Sequence, residues 1–307
     1  MSNSSTEKNK FQIGTPIPYH GLEGETLIVS GKHVAALSSA VAVWHADSAL
    51  HHVELPYVEV NHARWSKDRT KIFVGTGAVN TIFKQWEAQA QLSHLQNSPP
   101  PGRGGLAIKS TAWSEDGQFV AVLMDWSGPR DGRVVPPQVI LFDLSAENPP
   151  VCLPITQAED VQIFGNRVIV ATYEVSIWSF KGVEIARLPA TQFAPAGMSS
   201  YTGEGYFMLM DHDWTVRIVD PKNWTIKARW KGYFRDIIST ASGIIALDTD
   251  GNLHAACLTD KGVQEIGTAR TGLLASKLVV SDENHLMTMG AGPVAVHSIS
   301  YELICPR

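Results

Sequence analysis

Charge is scarce in this chain. Asp, Glu, Lys and Arg together make 18% of 307 residues, and the formal net charge of −5 leaves no basic excess. A protein that grips nucleic acid through its phosphates carries such an excess, so nucleic-acid binding is not expected. Cysteine is scarcer still, with only Cys152, Cys257 and Cys305. An odd number at wide spacing gives neither a disulfide framework nor the paired spacing of a zinc site. The three read as small apolar side chains in a reducing compartment. No apolar run approaches the roughly 20 residues a membrane helix requires, so no membrane contact is expected. The opening MSNSSTEKNK has no apolar core of a secretory signal, and the expected location is cytoplasmic. Its polar residues offer nothing to bury, so residues 1–10 read as a disordered tail. Also missing are a G-x-S-x-G elbow, a P-loop and an H-E-x-x-H pair. No convincing helical period appears either.

What the chain has is β-strand rhythm. Hydrophobic residues make 44% of the sequence, ample for a core, and turn residues recur every 8 to 12 positions or so. Length alone would suggest about two domains, but large all-β folds often run this long as one. The clearest phrase is TAWSEDGQFVAVL, residues 111–123, with a fainter copy in ARWSKDRTKIFV, residues 63–74. Each is an apolar strand ending in Trp-Ser, a tight polar turn, and an alternating strand that returns. Asp116-Gly117 predicts a two-residue hairpin turn, because Gly supplies positive φ freely and Asp tolerates it.

Seven segments align as a recurring third strand: VAVW to Trp44, TIFKQW to Trp86, QVILF to Phe142, VSIW to Trp178, TVRIV to Val219, LHAA to Ala256 and VAVH to His297. The six steps between them average about 42 residues, the length of a propeller blade. Trp44, Trp65, Trp86, Trp113 and Trp178 fall on strands and read as packing between repeats. The predicted architecture is all-β, a single seven-bladed β-propeller of four-stranded antiparallel blades over residues 11–307. Its blades fall roughly at 22–56, 57–96, 106–156, 157–189, 190–231, 232–269 and 270–307. The strand FQIGTPI is expected to pair near the seventh blade, either beside YELICP as an extra strand or in its place as the outer one.

The W-S-x-D-G phrase and the 42-residue period resemble WD40-like repeats. The resemblance covers about residues 22–307 and is one of architecture, since no repeat carries the Gly-His and Trp-Asp pairs of the strict motif. It implies that loops joining second to third strands, and those joining one blade to the next, share one binding face.

The longest step, Trp86 to Phe142, places its extra length in two such loops, NSPPPGRGG at 97–105 and DWSGPRDGRVVPP at 125–137. Loops longer than the fold requires carry function or disorder. Trp126 is a candidate aromatic anchor, and Arg103, Arg130 and Arg133 outnumber Asp125 and Asp131. Trp and Arg dominate binding hot spots. The expected function is therefore a non-catalytic interaction module or scaffold subunit, docking the acidic segment of a protein partner here.

An acidic cluster is expected on the same face, from Glu174, Asp211, His212, Asp213, Asp248 and Asp250. It motivates the alternative, a metal-dependent hydrolase or lyase at the channel mouth. Asp248-Thr249-Asp250-Gly251 is not a calcium loop, because Gly falls at position 4 instead of 6 and Thr259 stands where a bidentate Glu is needed. It reads as a hairpin turn. His212 is the only acid–base candidate by local composition and has no evident nucleophile. No cofactor or resident metal is predicted.

Overall fold

The structure is a computed structural model of the chain. It describes residues 10–24, 26–30, 33–37, 41–46, 49–54, 60–65, 71–76, 80–84, 87–93, 105–114, 116–127, 137–144, 149–189, 195–198, 206–240, 242–273, 275–282, 285–290 and 294–305. The tail expected over residues 1–10 lies outside them, save Lys10. All regular structure among the described residues is β, in 29 strands that form seven antiparallel sheets.

The first sheet takes Thr26–Ser30, His33–Leu37, Val41–Ala46 and Ala49–Glu54 in order, and the second takes Val60–Trp65, Lys71–Thr76, Asn80–Lys84 and Glu87–Ser93. The third consists of Gly105–Trp113, Phe119–Ser127, Gln138–Asp143 and Val151–Leu153; the fourth of Asp160–Phe164, Arg167–Ala171, Val175–Ser179 and Glu184–Leu188. Pro195–Met198, Phe207–Asp211, Thr215–Asp220 and Thr225–Lys231 make the fifth, and Phe234–Ser239, Ile244–Asp248, Asn252–Thr259 and Gly262–Arg270 the sixth. The seventh is built on Ala275–Asp282, His285–Gly290 and Val294–Ile304.

The chain divides into two compact units, residues 35–195 and residues 1–34 with 196–307. In the first, sheets three and four share a core of Leu123, Val139, Leu141, Val161, Val168, Val170 and Trp178. The second strand of each sheet is apolar on both faces: Val120 to Leu123 and Val168 to Ala171 are all at most 1% exposed. That is the pattern of strands covered on both sides. Trp113 is fully buried, as its place at the end of an apolar strand predicts.

The turn after Trp113 differs from the two-residue hairpin expected. Ser114 N–H donates to the Phe119 carbonyl at 2.9 Å, Phe119 N–H returns to Ser114 Oγ at 2.9 Å, and the loop between them is longer. Ser114 Oγ donates to Asp116 Oδ1 at 2.6 Å, and Gln118 N–H donates to the same oxygen at 3.0 Å. Gly117 takes φ +69°. Side chains of Ser and Asp thus replace backbone ladder bonds, which lets a longer loop close tightly.

In the other unit the N-terminus completes the last sheet. Lys10–Ile13 pairs with Tyr301 to Ile304, and Ile17–Gly24 pairs with Val294 to Ser298 of the same strand. Tyr301 to Ile304 continues the third strand, and of the two arrangements open in the sequence the N-terminus supplies the outer strand. Phe11 and Ile13 pack on Leu253, Ala255, Leu286, Ile299 and Leu303.

The cysteine reading needs correction. Cys257 and Cys305 form a disulfide with Cα atoms 5.5 Å apart. They are 48 residues apart in sequence; the fold brings the third strand of sheet six against the end of the last strand, a proximity spacing alone cannot show. Cys152, the remaining cysteine, is free and exposed.

Aspartates join the first strands of consecutive sheets within each unit. Asp160 accepts from Ser110 Oγ at 2.6 Å and from Val161 N–H at 2.8 Å. Asp236 accepts from Leu278 N–H at 2.8 Å and Ile237 N–H at 2.9 Å. Burial pushes both carboxyls above their ordinary range, against the pull of these bonds.

Candidate interaction surfaces

The enlarged sector begins where two long strands pair. Leu106 faces Trp126 and Ala107 faces Asp125 across sheet three, so both residues sit in the strand register leading into residues 128–136. The side chains of Asp125 and Trp126, and all of Arg103, Arg130, Asp131 and Arg133, lie outside the described residues.

The acidic residues are described, and Glu174, Asp211 and Asp248 are each held by groups of their own sheet. Asp211 is 5% exposed and accepts from Arg217 Nη2 at 2.7 Å. Burial pushes its carboxyl up while the Arg217 guanidinium pulls it down. The signal for this pair was an arginine inside the apolar strand TVRIV, since a buried guanidinium needs an anion. In the other unit Glu174 is bound by Arg187 Nη1 at 2.7 Å, and the same guanidinium donates to both oxygens of Glu184 at 2.8 Å. Those bonds lower Glu184 and raise Arg187.

Asp248 serves its own turn. Its Oδ1 accepts the N–H groups of Asp250 and Asn252, both at 2.8 Å, and Oδ2 meets His254 Nε2 at 2.9 Å and Asn252 Nδ2 at 2.8 Å. Burial alone would raise this carboxyl; the bonds outweigh it and hold it at about 2. The sequence reading missed His254, whose Nδ1 faces Glu265 Oε1 at 3.2 Å and Thr268 Oγ1 at 3.1 Å. Among the described residues no three His, Cys, Asp or Glu side chains are grouped to hold a metal ion.

The Asp211 and Asp248 turns are homologous pieces of sheets five and six. Each runs Asp-x-Asp into a residue of positive φ, whose N–H returns to the first Asp carbonyl. In sheet six that residue is Gly251, φ +81°. In sheet five it is Trp214, φ +66°. Trp214 is 41% exposed and its ring lies 5.3 Å from that of Tyr233, 68% exposed on the connection to sheet six. Aligning MDHDWT with LDTDGN shows the displacement of Gly by Trp in the sequence itself.

Sheets of four antiparallel strands, repeated in order with the N-terminus completing the last, define a β-propeller. The fold is similar to that of a chain in a solved structure described as "Crystal Structure of Mitotic Checkpoint Complex". The likeness has a TM-score of 0.69 at 10% identity and covers 99% of this chain and 95% of that one. No family model matches the sequence, and no curated protein matches it.

Proposed function

We propose that this chain is a non-catalytic interaction module, a subunit that docks other proteins within a multiprotein assembly. The observation that carries this is the fold's likeness, along nearly its whole length, to a chain solved within a complex of several proteins. Rigid sheets that fix the ends of long loops are a means of presenting a binding surface, since the scaffold removes part of the ordering cost. In this reading residues 97–105 and 125–137, with Asp125 and Trp126 at the end of a strand, dock an acidic segment of the partner, Trp126 serving as anchor and Arg103, Arg130 and Arg133 as charged contacts beside Asp125 and Asp131.

Replacing Arg130 and Arg133 with Glu tests it. Surface loop changes shift stability by under about 0.5 kcal/mol, so the fold persists while co-purifying proteins are lost. An unchanged set of co-purifying proteins contradicts the site. The reading also places the module in the cytoplasm, and the disulfide makes that testable because glutathione keeps most cytosolic thiols reduced. Alkylation of the protein directly in cells decides it: Cys257 and Cys305 labelled as free thiols would fit the cytoplasm, and a pair protected by the disulfide the structure holds would contradict that location and indicate an oxidising compartment.

A further inference from the structure

We propose that Trp214 and Tyr233, flanked by Lys231 and Arg235, form a second docking site, which takes an acidic partner segment bearing an apolar side chain. It stands apart from the loop site proposed above.

The first observation is strain without internal return. A left-handed conformation crowds the Cβ of an L-residue against its own backbone, and the equivalent turn in sheet six avoids that cost with Gly251. Trp224 supplies the contrast. It too has positive φ, at +55°, but it is 8% exposed and packs edge-on against Phe207 at 6.2 Å. Burial offsets its strain. Trp214 holds the same kind of backbone and leaves much of its ring in water. Strained residues of this sort collect at binding sites.

The second observation is that the backbone fixes the aromatic pair. Gly232 N–H donates to the Trp214 carbonyl at 3.0 Å, tying the Tyr233 connection to the Trp214 turn. A Cβ on Gly232 would stand 2.3 Å from the Phe234 ring, which itself packs on Trp230 at 4.5 Å. Two rigid rings side by side bring apolar area at little entropy cost.

Charge selects the occupant. Lys231 pairs with Thr215, next to Trp214, and Arg235 follows Tyr233 by two residues. Both are exposed, and neither forms an ion pair among the described residues. The nearby acids are otherwise engaged: Asp211 is held by Arg217, and Asp213 Oδ1 accepts the Thr215 N–H at 3.1 Å. In a chain of net charge −5, two exposed cations with no ion pair among the described residues, beside exposed rings, fit carboxylates and one apolar side chain. A phosphate polymer would have to overcome the chain's overall negative charge.

The test is selection of a random phage-displayed peptide library on the full chain, with counter-selection on Trp214→Gly. Survivors should be rich in Asp and Glu with a Leu or aromatic residue. As labelled synthetic peptides they should lose more than about tenfold in affinity with Tyr233→Ala and with Lys231→Glu/Arg235→Glu, and weaken as salt rises. Arg130→Glu/Arg133→Glu should leave their affinity unchanged, which separates this site from the loop site. Trp214→Gly should abolish binding while its melting temperature holds or rises. No survivors, survivors without acidic bias, a lowered melting temperature in Trp214→Gly, or tighter binding of oligo-dT than of the peptides would each overturn the proposal.

Discussion

At the scale of the residue, the described acids and aromatics are sorted by what surrounds them. Trp113 is fully enclosed, and Trp113→Ala should cost roughly 3–5 kcal/mol in a denaturant titration. Asp211→Ala should cost a similar amount, about 3–5 kcal/mol, because it removes the carboxylate that the buried Arg217 guanidinium donates to; a loss under about 1 kcal/mol would show that the pair contributes little to the fold. Titration separates Asp236 from Asp248. Burial raises Asp236, so the fold binds its proton more readily than the unfolded chain does. Its charged form therefore opposes folding above the raised value, and that penalty fades as pH falls through it. Asp236→Asn removes the titrating group, keeps one acceptor oxygen for either Leu278 or Ile237 but not both, and should flatten this dependence. Asp248, held at about 2, has the opposite sign: its contribution is full above about pH 4 and is lost as pH falls towards 2. Melting curves from pH 2 to 7 on both Asn variants would check both signs.

At the scale of the element, strand pattern and the grouping of consecutive strands into four-stranded sheets were legible, while the contacts made by the chain's two ends were not. VSIW and TVRIV announce buried third strands by apolar continuity, and the structure has them as Val175–Ser179 and Thr215–Asp220. The cysteines carry no such periodicity, so only the fold could bring Cys257 to Cys305. Tyr301 to Ile304 reads as a separate strand because its composition is β-like; it is the far end of Val294–Ile304, and the N-terminal strands take the edge it was expected to fill. Length and polarity set the expectation of loops at residues 97–105 and 125–137; Gly105 and Asp125–Ser127 instead lie on strands, and residues 97–104 and 128–136 lie outside the described residues. The Asp211 and Asp248 turns show the reverse: their spacing was visible, while the inward bonds to Arg217 and His254 depend on which face each strand buries. The disulfide closes a long loop beside the N-terminal strand. Cys305→Ser should therefore lower stability by about 3 kcal/mol and speed amide exchange in Lys10–Ile13 before the other strands. Equal exchange across the sheets would mean the bond does not secure that seam.

At the scale of the whole molecule, repetition explains both the fold and its use. Four-stranded sheets of one kind settle the edge problem by lying side by side, which frees the connecting loops from any duty to the core. On the proposed reading, binding falls to the loops and to the few positions where a repeat breaks its own rule, as Trp214 does. Hydrogen exchange on the chain, alone and with its co-purifying partner, measures this most directly. Slowed exchange confined to residues 97–105, 125–137 and the connections around Trp214 and Tyr233, with the strands unchanged, is the predicted result. Protection that falls on the strands, or on the turns at the opposite ends of the sheets, while these loops exchange as before, would contradict it.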